Sequence, residues 1–334
     1  MKTRTRTIAI IAASALLLIA GACAFFGMKY RHYIAFCRSV DVSLKEAKKI
    51  YGPMNAENEW TMSLVVEADR GNWDKVASLT EKDRRSVIGT YYHNIAAARR
   101  GRLAEDLLKY YQPFEIGLFL PVREGETPFS IGCASEVWWQ LGELTLAEHA
   151  AMLGMIFSPH QSGERFYRRL AQIQLANSDG AAARKYIEKC RSRIGDEWKE
   201  KAGRGPSRDT LVFAGQDRAA LLNLLEGTQG YNMAYEYLLC LDLLIKDLPS
   251  FAEDYDPARS RSRLYDEGIT AWLAINNNLS SETAAQYGLE EEVLNDFFRY
   301  TETYNKTGGS LKALQPEFGQ TFWFWFHFAK RNEK

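Results

Sequence analysis

The sequence predicts an all-α protein made of stacked helical hairpins, and two observations carry that prediction. A short phrase recurs, Gly71-Asn72-Trp73 followed by Val76, Gly101-Arg102-Leu103 followed by Asp106, and Gly142-Glu143-Leu144 followed by Ala147, at spacings of 30 and 41 residues. Around each phrase the apolar residues fall three and four apart, the period of one buried helix face. A hairpin of that length cannot bury its apolar face alone, so successive hairpins must stack. The expected architecture is an α-solenoid of about five to six hairpins, preceded by one membrane helix.

That helix is read from the N-terminus. Lys2, Arg4 and Arg6 precede residues 8–28, a run of 21 residues without a charge. At about 1.5 Å per residue the run is long enough to cross a hydrocarbon core. Residues 1–38 are therefore expected to be a membrane anchor with a retained transmembrane helix at about 8–28, and 39–334 a helical-repeat domain. Two rivals share the same residues: a lipoprotein lipidated at Cys23, suggested by Ala20-Gly21-Ala22-Cys23, and a cleaved signal peptide. Ala20 stands where lipoprotein boxes carry Leu, and Cys23 is followed by Ala24-Phe25-Phe26 instead of a polar tether. Both features favour the retained helix. Lys29, Arg31 and Arg38 nearly balance the leading positive charges. Counting the amino terminus, the leading side prevails, which places a single-pass protein in the cytoplasmic membrane with its body in the periplasm.

Helical periodicity resumes at 43–49 and stops at Gly52-Pro53. Trp60, Leu64, Val65 and Ala68 form a stripe on a helix over 57–69, which pairs across Gly71 with a helix starting at Trp73. A second hairpin joins 91–98 to 103–111. Residues 112–134, with Pro113, Gly117, Pro121, Gly125 and Pro128, read as an irregular excursion, either a packed lid or a binding surface. The third hairpin carries Trp138, Leu141-Gly142 and Ala147, with Pro159 twelve residues further on. Position by position it resembles the tetratricopeptide repeat, in which a Trp and a Leu-Gly pair lie on the first helix, a small residue opens the second and a proline closes the unit. Leu170-Ala171 with Ala183 make a fourth hairpin, and 233–244 with Phe251 a fifth. Ala183 and Phe251 are 68 residues apart, room for one degenerate unit between them. The stretch 201–208 is basic and Gly-rich but lacks the Gly-Lys-Ser/Thr ending of a phosphate loop, so it reads as a solvated loop. Further helices follow at 264–275 and around Leu294, Phe297 and Phe298. The tail Phe322-Trp323-Phe324-Trp325-Phe326-His327-Phe328 is aromatic at six of seven positions, so its helix must be covered nearly all round. It is expected to cap the core at about 318–328, or else to seat its rings at a membrane interface or form a protein-docking surface.

Chemistry is scarce. Forty-two basic residues balance forty-two acidic ones, so no net field draws the chain to nucleic acid. The five cysteines and five histidines show no metal-site spacing, and no catalytic or nucleotide-binding motif is present. No cofactor, metal or catalytic residue is expected. His149, beside Glu148 and near Glu143, reads as a polar residue on a solvent face. The segments Gly117-Leu118-Phe119-Leu120-Pro121, Ser135-Glu136-Val137-Trp138, Arg169-Leu170-Ala171-Gln172 and Met233-Ala234-Tyr235-Glu236-Tyr237-Leu238, with the aromatic end, resemble an uncharacterised family of bacterial membrane proteins with a helical-repeat C-terminal domain. That resemblance implies a fold and a membrane association, and no residue role. The function expected is a membrane-anchored scaffold that binds a protein or peptide partner at the cell envelope, with Tyr91, Tyr92, Asn94, Arg168, Asn232 and Tyr235 as candidate contacts. The alternatives are a structural subunit of an envelope complex and an enzyme with a site under the 112–134 loop.

Overall fold

A computed structural model of the chain describes residues 25–202, 216–227 and 232–331. Among them are helices only: α1 Arg31–Ser39, α2 Leu44–Ile50, α3 Ala56–Asp69, α4 Trp73–Leu79, α5 Val87–Ala98, α6 Leu103–Asp106, α7 Pro128–Cys133, α8 Ser135–Leu141, α9 Leu144–Ile156, α10 Glu164–Ala176, α11 Gly180–Ile187, α12 Asp217–Gly227, α13 Asn232–Ile245, α14 Leu248–Asp254, α15 Arg263–Ile275, α16 Ser281–Gln286, α17 Glu291–Thr307, α18 Leu311–Phe318 and α19 Phe322–Phe328. Short 3-10 turns lie at Leu107–Lys109, Phe114–Gly117 and Asp196–Glu200.

The recurring Gly phrase is a helix-stop signal with a core plug attached. Gly71, Gly101 and Gly142 have φ of +75°, +65° and +78°, the left-handed conformation that closes a helix and that glycine adopts without strain. Two residues later Trp73, Leu103 and Leu144 open the next helix, and all three are buried. The phrase therefore reverses the chain and anchors the reversal. The hairpins α3/α4, α5/α6, α8/α9, α10/α11 and α13/α14 fall where the sequence places them.

The hairpins do not form a tetratricopeptide-like solenoid. In a solenoid each repeat touches only its neighbours, whereas here α6 packs against α13 and α15, α5 and the Phe114–Gly117 turn pack against α13, and α1 packs against α3 and α10. The second helix of the second hairpin has only four residues and passes into a 3-10 turn, so it has no face long enough to stack like its counterparts. Ion pairs tie α10 to other parts of the chain as well. Arg165 on α10 holds Asp69 at the end of α3 in two bonds of 3.0 and 3.1 Å, 96 residues apart, and donates to the Gly132 carbonyl of α7. One turn on, Arg169 pairs with the buried Glu136 of α8 at 2.7 Å and lies over the Trp139 ring.

The membrane expectation is corrected as well. No described helix is long and apolar enough to cross a membrane, so the single-pass anchor and the location at the cytoplasmic membrane that rested on it are not supported. Residues 8–24 of the expected span, including Cys23, lie outside the described residues, as do 203–208 of the basic loop. The expected anchor segment 1–38 ends within α1, whose Tyr33, Phe36 and Cys37 are core residues. The C-terminal part of the 112–134 excursion is also helical, as α7, started by Thr127 accepting the Ser130 N–H with Pro128 at the first helical position.

Candidate functional site

Three residues of α5 build the wall of the first candidate site. Asn94, fully buried, exchanges amide hydrogen bonds with the side chain of Gln112 and donates to the Gly117 carbonyl at 2.9 Å. Gln112 in turn donates to the Leu107 carbonyl at 2.7 Å, and Thr90 to the Tyr111 carbonyl at 2.9 Å. His93 stacks on Tyr110, with ring centroids 3.5 Å apart. Burial pushes its imidazole down to about 4, so it is neutral and serves as a flat apolar surface. These contacts pin 107–117 against α5 and turn Tyr110, Tyr111 and Phe114 outward, half-buried.

The facing wall is α19, held at both ends. Its first N–H, of Phe322, donates to the buried Glu267 carboxylate of α15 at 2.7 Å, and the Trp323 indole donates to the Glu267 carbonyl. At the other end Lys246 donates to the carbonyls of Phe326 and Ala329, both at 2.7 Å. An acceptor for the exposed N–H groups at the start and a donor to the exposed carbonyls at the end are what helix termini require. Tyr300 adds a 2.6 Å hydrogen bond to His327. Phe322 and Trp323 are buried against α15 and α17, which fits a cap, while Phe324, Trp325, Phe326 and Phe328 stay half-buried. Arg331 crosses back to pair with Glu115 at 3.0 Å.

Between the walls lies a cleft of about 330 Å³ lined by Tyr110, Tyr111, Phe114, Phe324, Trp325 and Phe328, with Arg85 and Lys330 on its rim. Arg85 lies over the Tyr111 ring, and neither Arg85 nor Lys330 has a carboxylate partner among the described residues. The nearby Asp83 is occupied in shaping the wall, accepting the backbone N–H groups of Arg85 and Tyr111. Arg85 and Phe114 both have φ of +52°. Asp41, Gln161, Ser178, Lys246 and Asn277 share that left-handed conformation elsewhere, so it shapes these two turns without marking the cleft.

A second cleft, about 360 Å³, lies under residues 115–123 and is lined by Phe119, Leu120, Val122, Trp138, Leu146 and Ala150, with Glu115, Arg123, His149 and Asp217 around it. Burial, followed by the charge of Glu115, raises the Asp217 carboxyl to about 6. A third, about 410 Å³, borders Arg263 and Glu267. Its Arg263 is already shared by Glu267, Glu292 and Asp296.

Most residues expected to touch a partner are inside the protein. Tyr91 and Tyr92 are fully buried, and Tyr235 nearly so. The Tyr91 hydroxyl donates to the Cys133 carbonyl and accepts the Val137 N–H, satisfying backbone groups left open where α7 breaks into α8. The Tyr235 hydroxyl does the same at the end of α14, donating to the Asp254 carbonyl and accepting the Asp256 N–H. Arg168 binds Ser192 and Glu164, and Asn232 is exposed at the start of α13. Asn94 reaches the candidate site only from behind, through Gln112. The aromatic tail is the one expected group that lines the cleft. Arg85, Tyr110, Tyr111, Phe114 and Lys330 carried no sequence signal of their own, because the cleft forms only when the tail folds back across more than 200 residues.

The chain matches the family of unknown function DUF6057 over residues 2–189 and 193–329, and belongs to that family. No curated protein and no solved structure matches it.

Proposed function

We propose that this member of a family without an assigned activity is a protein-interaction module that binds an acidic segment of a partner protein in the cleft between residues 110–114 and α19. One observation carries the reading: a cleft walled by six aromatic rings from two distant parts of the chain, with two cations on its rim that lack ion partners among the described residues. Aromatic side chains supply large, stiff contact area, and they dominate binding energy where water is excluded around them. A cleft of about 330 Å³ is at the small end of ligand sites. It suits one or two anchoring side chains of a segment that continues along the surface. Unpaired Arg85 and Lys330 favour Asp or Glu next to those anchors.

Selection of displayed random peptides on the full chain tests this. Enriched sequences are expected to combine Asp or Glu with an aromatic or aliphatic anchor. Synthetic copies should lose about tenfold in affinity to the Arg85→Glu/Lys330→Glu variant, with a shallower salt dependence. Binders indifferent to both that variant and Phe328→Ala would defeat the proposal.

A further inference from the structure

The second cleft has a chemistry of its own, independent of the first. One side of it is apolar: Phe119 and Trp138 stack with centroids 4.8 Å apart, and Leu120, Val122, Leu146 and Ala150 lie beside them. Four ionisable side chains border it, and their pairing is unequal. Glu115 is paired with Arg331 at 3.0 Å, and Arg123 with Glu126 at 3.4 Å. His149 is exposed on the rim. Asp217, the first residue of α12, is half-buried and makes no hydrogen bond or ion pair with any described residue. The helix start beneath it favours a carboxylate there but does not neutralise it.

A carboxylate with part of its surface withdrawn from water and no described partner gains from a cationic one. Among the described residues, the charge left uncompensated in this cleft is therefore a single negative one, at the border of its apolar part. We infer that this cleft binds a small primary amine with an apolar body, its ammonium on the Asp217 carboxylate and its body against Phe119 and Trp138. A cavity of about 360 Å³ holds a small molecule and little more. An anion of the same shape would meet Asp217 unfavourably, and a neutral one would leave the carboxylate without a partner, so charge decides the selectivity.

The test uses three fluorinated probes of one shape, 4-fluorophenethylamine, 2-(4-fluorophenyl)ethanol and 4-fluorophenylacetate, titrated into the full chain and followed by fluorine NMR. The amine is expected to bind at least tenfold more tightly than the alcohol, with the acid not binding. Asp217→Asn should bring the amine down to the level of the alcohol, and Asp217→Glu should keep the preference. The wild-type ranking decides even if Asp217→Asn folds poorly. Equal binding of amine and alcohol, an amine unaffected by Asp217→Asn in a folded variant, or no binding of the amine would each overturn the inference. The cleft walled by α19 is not involved, so Arg85→Glu/Lys330→Glu should leave amine binding unchanged.

Discussion

Replacing Lys246 by Met removes the ammonium that donates to the last carbonyls of α19 while keeping a side chain of similar length. The ammonium donates to two carbonyls, of Phe326 and Ala329, at 2.7 Å each. A hydrogen bond from a charged donor contributes about 1.5 to 3 kcal/mol. Burial lowers the Lys246 pKa, which is to say that docking the tail costs the ammonium part of its hydration. Lys246 is also partly exposed, so water can replace some of what the variant loses. Taking the low end for both bonds and subtracting the recovered hydration leaves about 2 kcal/mol of tail docking, or about thirtyfold in its local equilibrium. Native-state hydrogen exchange read by mass spectrometry on the peptide spanning 320–331 should show that acceleration, with α13 and α15 unchanged and with Lys246→Arg close to wild type. Lys246 has φ of +66°, and Lys, Met and Arg meet the same backbone penalty there, so the comparison isolates the side chain. Unchanged tail exchange in Lys246→Met, or equal acceleration across the whole chain, would refute the reasoning. Because α19 is one wall of the aromatic cleft, the same variant should weaken the selected peptides in step with its exchange.

Asn94→Ala should cost about 2 to 4 kcal/mol by leaving Gln112 and the Gly117 carbonyl without their partner inside the protein; a denaturant midpoint unchanged from wild type would mean that Asn94 does not clamp the 107–117 wall. Tyr91→Phe should cost about 1 to 3 kcal/mol, because the Cys133 carbonyl and the Val137 N–H both lose their partner at the α7/α8 break, and thermal melts of the pair of proteins measure it. Gly268→Ala should destabilise by about 1 to 3 kcal/mol, since a Cβ there would sit 2.8 Å from both Leu243 and Phe251 where α15 crosses α13 and α14. Burial raises the Glu267 carboxyl to about 7, above an unfolded value of about 4.3. Its contribution is therefore full below pH 4.3, falls as pH rises, and is gone above about 7. Between pH 5.5 and 8 the melting temperature should drop, and Glu267→Gln, which cannot ionise, should flatten that drop.

The helices and their reversals were legible because both are local. A glycine in the left-handed region with an apolar residue two places on is a signal confined to a few residues, and it marked Gly71, Gly101 and Gly142 correctly. The same locality explains what was missed. Whether hairpins stack in a row or close on themselves depends on which distant faces meet, and here those meetings are marked by pairs such as Arg165 with Asp69 and, at the surface, Arg331 with Glu115. Each partner in such a pair looks like an ordinary surface charge in the sequence. Tyrosines and an asparagine repeated on first helices read as a binding row for a related reason. Polar side chains that satisfy broken backbone from inside the core have the same composition as side chains that reach for a partner, and only burial separates the two.

The aromatic tail shows how a legible feature can hold two roles. Six aromatic residues in seven positions require cover on nearly every side, and α15 and α17 cover only part of that circumference. Phe322 and Trp323 take the inner side, where Glu267 and Tyr300 meet their polar groups. Trp325 packs on Phe114, ring centroids 5.1 Å apart, and Phe324 and Phe328 are left facing Tyr110 and Tyr111 across an open cleft. The buried half is what holds the exposed half in position. Residues that cap the core also present the cleft, so substitutions in the tail will mix stability with binding. Arg85 and Lys330 come nearer to separating the two: both are exposed and without an ion partner among the described residues, and reversing their charge changes the field over the cleft at the cost of the Arg85 contact with the Tyr111 ring alone.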